Sequence, residues 1–140
     1  MHIRHLLLDM TAWLVILSAC PFSVAQETAL DRYVAQPDPS YAWKVVGETP
    51  LEGGTQYIID LTSQTWRTEK DVDRTLWKHW LIIVKPAEVD KNTAFLFISG
   101  GANDGGQPKS ADAKVLAIAQ ASKSIVAELK MVPNQPLIFH

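Results

Sequence analysis

The chain has a single cysteine in 140 residues, Cys20, so it cannot staple itself with an internal disulfide. Stability has to come from an apolar core instead. It also lacks a strong charge of either sign: 13 Lys and Arg against 15 Asp and Glu leave a formal net charge of -2. Without a basic footprint, a nucleic-acid partner is not expected. A membrane-spanning helix needs roughly 20 apolar residues. The N-terminal run Met10–Ala19 is about half that, too short to span. Repeats, low-complexity tracts and long charge runs are missing too. With 47% hydrophobic and 20% charged residues, what remains is an ordinary composition for one globular domain or part of one.

The common catalytic signatures are missing as well. No Gly-x-Ser-x-Gly setting surrounds any serine, and no metal-ligand spacing is present. The glycines at 100, 101, 105 and 106 end at Gln107-Pro108, which fits neither a Walker-type phosphate loop nor a dinucleotide fingerprint. A calcium-binding repeat would need copies and more carboxylates than Asp104. No cofactor is expected.

What is present is organised around Ala94–Leu129. Ala94-Phe-Leu-Phe-Ile98 is a short continuous apolar run that stops at Ser99-Gly100-Gly101, the pattern of a strand buried on both faces. A glycine-rich loop follows to Pro108. Val115, Ile118, Ala119, Ser122, Ile125, Val126 and Leu129 then fall at helical spacing, with Ser110 as N-cap and Asp112 at the positive end of the helix dipole. Lys114, Gln120, Lys123 and Glu128 lie on the polar side of that helix. After Met131-Val132, the segment Pro133–Phe139 begins a further strand. Strand, crossover helix and strand make a βαβ unit and predict an α/β domain with parallel pairing.

Upstream, residues 1–25 read as an export signal, with Arg4 as the positive region, Met10–Ala19 as its apolar core and Ser23-Val24-Ala25 as a small-x-small cleavage site. A competing reading is a lipoprotein signal, 1–19, in which Leu17-Ser18-Ala19-Cys20 leaves Cys20 lipidated, the one route to membrane attachment. Either reading exports the protein to the periplasm or the exterior, free or lipid-anchored. Glu27–Ser40 is a lead in which Pro37-Asp-Pro39 excludes regular structure. Tyr41–Val46 predicts a strand, with Gly47–Gly54 as turn material. Gln56–Thr62 alternates as a half-buried antiparallel strand does, and Ser63–Thr75 reads as a loop or short helical turn. Leu76–Lys85 is apolar on both sides and should lie inside the sheet.

A parallel sheet needs helices on both faces, and one mature-region helix is legible. Each large aliphatic side chain it buries stabilises by roughly 1.5–3 kcal/mol before entropy is subtracted. The strands at 77–84 and 94–98 would stay partly open. The expectation is an incomplete domain over 26–140, antiparallel strands leading into a βαβ unit, from the N-terminal part of something larger.

The glycine loop is the candidate site. A glycine loop leaving an early sheet strand, with backbone N–H groups aimed at a developing oxyanion, occupies the place of the His-Gly-Gly loop in α/β-hydrolases. That puts Gly100, Gly101 and Ala102 forward, the amides of Gly101 and Ala102 as donors. The plain alternative is that Gly100-Gly101 makes a tight exit from the strand. His79 sits in mid-strand among Trp77, Trp80 and Leu81 and reads as a packing residue rather than a base. The five tryptophans read as core and loop anchors. Asp60, Asp104 and Glu128 do not form a carboxylate pair. No catalytic residue is expected within the chain itself.

Several blocks occur in a telling order: Leu30-Asp-Arg-Tyr-Val-Ala35, Pro37-Asp-Pro-Ser-Tyr-Ala-Trp43, Leu61-Thr-Ser-Gln-Thr-Trp66, Trp77-Lys-His79, Phe97-Ile-Ser-Gly-Gly101 and Val132-Pro-Asn-Gln-Pro-Leu137. Together they resemble the start of the PhoPQ-activated pathogenicity-related proteins, a secreted, virulence-associated bacterial family with an α/β-hydrolase-like fold. The resemblance covers nearly all of the mature region and only the N-terminal part of the family's much longer proteins. It implies that a serine elbow with its acid and histidine partners lies beyond His140, and it supplies no substrate. Two functions follow as expectations. One is serine-type hydrolysis of an ester or amide of a small molecule or peptide by the longer protein, with this chain inert. The other is a non-enzymatic exported binding protein on the same scaffold.

Overall fold

The computed structural model describes residues 26–90 and 92–140. The export signal and Cys20 lie outside these residues. The chain divides at Pro37 into two units. The described part of the first holds one short helix, α1, Ala29–Ala35. Thr28 and Asp31 build a reciprocal capping box, the Thr28 hydroxyl accepting from the Asp31 amide and the Asp31 carboxylate from the Thr28 amide. This corrects the expectation of an unstructured lead. Pro37 does act as a breaker, but only from Gln36 onward, where the backbone turns extended.

The second unit is sheet-rich. Its elements are β1 (Ala42–Leu51), β2 (Gly54–Thr65), β3 (Leu76–Pro86), β4 (Phe95–Ile98), β5 (Gly101–Ala102), α2 (Ala113–Ser122), β6 (Val126–Leu129) and β7 (Asn134–Gln135). The main sheet runs β1-β2-β3-β6-β4. The pairs β1–β2, β2–β3 and β3–β6 are antiparallel, and β6–β4 is parallel. Antiparallel strands therefore lead into a βαβ unit, β4-α2-β6, but its second strand is Val126–Leu129 and not the expected Pro133–Phe139, of which only Asn134–Gln135 is strand. A second ladder of two strands, β5 and β7, is parallel.

Three boundaries move. The β1 strand continues through Gly47 because a bulge at Val46 absorbs one residue, and the turn closes only at Gly53, whose φ of +81° suits a residue without a side chain. The β2 strand runs on to Thr65 through a second bulge at Ser63. The helix α2 begins at Asp112, whose carboxylate accepts from the Lys114 amide at 2.8 Å, not at Ser110. It ends at Lys123, which leaves in the left-handed conformation with φ 49°. Ile125, Val126 and Leu129 accordingly belong to a strand and its approach. Glu128 lies in β6 at 8% exposure, so its place on an exposed helix face is corrected. Pairing with a strand on either side, together with full burial of Val126, outweighs the helical period of that stretch.

The core lies between one sheet face and α2. Ile82, Val84 and Val126 pack there against Ala111, Val115 and Ala119. Gln56 is buried on the same side, accepting from the Ala111 amide at 2.6 Å and donating to the Lys109 carbonyl at 3.4 Å. The opposite face carries a cross-sheet apolar row, Val45–Ile59–Leu81–Leu129–Ile98, set by the register. Among its described residues, this unit has no second helix to lay on that row.

The largest correction concerns β4. Its apolar run predicts a strand buried on both faces, yet in this chain β4 is the outermost strand, with Leu96 58% and Ile98 61% exposed. The residue pattern is that of an interior strand, yet among the described elements β4 has β6 alone beside it.

Candidate functional site

The topology gathers one end of the sheet. Because β3 is antiparallel to both neighbours, β2, β6 and β4 all point their carboxyl ends the same way. Open α/β sheets bind ligands in the crevice outside that end. Here it holds the end of β2 with Ser63, the loop 66–75, the glycine loop after β4, and the Met131–Pro136 turn after β6. A cleft of about 300 Å³ opens among them, lined by Arg74, Leu76, Lys78, Asn103, Met131 and Asn134. Its side chains offer two cations and no carboxylate. Arg74 shares its charge with Asp73 at 3.6 Å, and Nδ2 of Asn134 donates to the Lys78 carbonyl at 3.1 Å while Oδ1 of the same side chain is buried without a donor.

The glycine loop lies at the cleft wall and is tied down at every second residue. The Gly101 amide donates to the Pro133 carbonyl at 3.3 Å and the Asn103 amide to the Gln135 carbonyl at 3.0 Å. The Asn103 side chain donates to the Pro136 carbonyl. Gly105 donates to the Ala102 carbonyl at 3.0 Å and its own carbonyl accepts from the Trp80 indole at 3.2 Å. Strand alternation then turns the Ala102 amide to the side away from β7. Of the two amides put forward as oxyanion donors, that of Gly101 is engaged in the ladder and that of Ala102 faces the other way.

Gly101 has to be glycine on grounds of space. A Cβ there would stand 2.7 Å from Met131 Cγ and 3.1 Å from Met131 Cα. Met131 is 8% exposed, has φ 68°, and donates its amide to the Gly100 carbonyl at 3.3 Å. Its carbonyl accepts from Nδ1 of His79 at 3.0 Å. A carbonyl can only accept, so Nδ1 carries the proton, and in the neutral ring Nε2 accepts from the Ser63 hydroxyl at 2.8 Å. Sequence reading places His79 correctly in the interior, at 4% exposure, and misses its polar partners. The bulge at Ser63, whose hydroxyl reaches the ring, and the left-handed turn at Met131 leave no mark on the sequence.

The remaining candidates are spread out. Asp104 is exposed and Asp60 half-buried. Glu128 accepts from Ser99 Oγ at 3.0 Å and Lys130 Nζ at 2.9 Å through Oε1, while Oε2 is buried without a donor beside an apolar cleft at Phe97, Ile98, Val115 and Ile118. Trp66 packs edge-on to Trp77 and Phe139, centroids 5.6 and 6.2 Å apart, which makes it a loop anchor as expected. Trp43 is exposed. Among the described residues, no three His, Cys, Asp or Glu side chains converge to hold a metal ion, and no helix is long and apolar enough to cross a membrane.

A family model described as PhoPQ-activated pathogenicity-related protein matches residues 30–140. Autocrine proliferation repressor protein A of Dictyostelium discoideum is 41% identical over 114 residues, which cover 81% of this chain and 23% of that protein. The chain thus spans about a quarter of the length of the curated relative it matches. No solved structure matches it.

Proposed function

The chain belongs to the PhoPQ-activated pathogenicity-related family, and from that premise we propose that it forms the first part of an exported α/β-hydrolase-like protein. In this reading residues 1–25 direct export, or 1–19 with a lipid on Cys20, and 26–140 carry the oxyanion loop for a nucleophile borne by further polypeptide. The substrate class is an ester or amide.

One observation carries the proposal. Counted from β2, the strands stand in the sheet as first, second, fourth, third, and the glycine loop leaves the third for the helix α2. α/β-Hydrolases take one oxyanion donor from the loop between a third strand and the helix that follows it, which is the likeness that supports the reading. The Ala102 amide is the donor best placed for the role, since the Gly101 amide is held by Pro133. The cleft at the same end of the sheet supplies Arg74 and Lys78 for a polar or anionic end of the substrate.

The test is labelling of the longer protein by a fluorophosphonate. Labelling of a serine outside 26–140 supports the enzyme. Failure to label, with a ligand still held in the cleft, supports the second reading, a non-enzymatic binding protein, for which the preformed cleft is the favouring observation.

A further inference from the structure

The contacts of His79 reach further than packing. Its ring joins three segments distant in sequence: Ser63 at the β2 bulge, its own position on β3, and Met131 after β6. A nucleophile and base within hydrogen-bond reach, with the base oriented by a third group, is the arrangement that activates a serine. Here the ring is 4% exposed, so no substrate reaches it, and what the pair can do is hold something in place.

What it holds is Met131. The left-handed conformation of a non-glycine residue persists only where surroundings over-determine it. At Met131 the amide is fixed by Gly100 and the carbonyl by His79. The Met131 side chain in turn fills the space that a Cβ on Gly101 would take, and its sulfur lies 3.8 Å from the Cβ position of Gly105. The neighbouring residue Trp80 points to the other face and grips the Gly105 carbonyl. The glycine loop is therefore seated on Met131, and Met131 is seated on His79.

We propose that His79, oriented by Ser63, is the positioning residue of the glycine loop, acting through the Met131 carbonyl. This deepens the oxyanion reading and rests on it for its catalytic meaning. The geometric claim stands on the contacts alone.

The two ring nitrogens allow a clean test. His79→Asn keeps a donor where Nδ1 stands and loses the link to Ser63; His79→Gln keeps a donor or acceptor where Nε2 stands and loses Met131. His79→Leu loses both. Amide hydrogen exchange is followed in the full chain over 100–106 and 131–135, with 80–84 of β3 as the internal control. Expected is about tenfold faster exchange in the loop segments for the Gln and Leu variants, little change for Asn, and an unchanged β3 in all three. Equal behaviour of Asn and Gln, or a rise spread evenly over β3 and the loop, overturns the proposal and leaves His79 as packing. If the variants fail to fold, the ring ¹⁵N signals of the unmodified chain decide. A proton on Nδ1, protected from exchange, upholds the proposal; a proton on Nε2 alone ends it. Failure of fluorophosphonate labelling would remove the oxyanion role and leave this exchange pattern in place, so the two claims fail separately.

Discussion

At Gly101 the constraint is a distance. Gly101→Ala puts a methyl group 2.7 Å from Met131 Cγ, with Met131 Cα close behind, so backbone as well as side chain must move. Overpacking of this kind costs about 1–3 kcal/mol. Urea unfolding of Gly101→Ala should show a loss in that range, and a variant as stable as the parent would mean that Met131 has room to withdraw. A second residue sets a pH response. Hydrogen bonds from the Ser40 hydroxyl and amide and the Thr65 amide hold the Asp38 carboxyl below the usual carboxylate range. Thr68 does the same for Asp71. A carboxyl whose folded pKa is depressed adds stability above its unfolded value, lost as pH falls through the folded one. Asp38→Asn should therefore lower the melting temperature at pH 7, and the gap to the parent should close below about pH 4. A gap independent of pH would show that the carboxylate's charge is not what matters.

At the scale of elements, the buried Gln56 ties β2 to the entry of α2, and its loss would strand the Ala111 amide without a partner. Gln56→Leu should cost about 1–3 kcal/mol, the penalty of an unsatisfied buried donor, readable as a lower urea midpoint at an unchanged slope. The antiparallel strands, the crossover helix and the interior place of β3 were legible, because period and apolar run length reflect burial directly; the strand that the crossover leads to was not, since it is Val126–Leu129 and not 133–139. The helix end was not. Ile125, Val126 and Leu129 continue the helical period, and only the flanking β3 and β4 strands draw them into the sheet. The α1 helix was missed for the opposite reason: a short capping box prevails before Pro37 takes effect. At the site, the glycines were visible as letters, but their reason lies in Met131 and His79, which meet across 52 residues.

For the unit 38–140 as a whole, the decisive feature is an interior-type strand at an edge. The outward backbone groups of Leu96 and Ile98 and the apolar row on the uncovered face offer a ready template for pairing. Residues 26–140 alone should self-associate at micromolar concentration, and Ile98→Lys should reduce this in analytical ultracentrifugation. A sharp monomeric species of the parent would contradict that view.

The central claim is that the loop after β4 serves an oxyanion. Its most direct test is the rate of fluorophosphonate labelling of the longer protein with and without Ala102→Pro, which deletes the one amide facing away from β7. The account predicts labelling of a serine outside 26–140 and a fall of about 10²–10³-fold in the variant, with the melting temperature nearly unchanged. Equal rates, or no labelling of either protein, would contradict it.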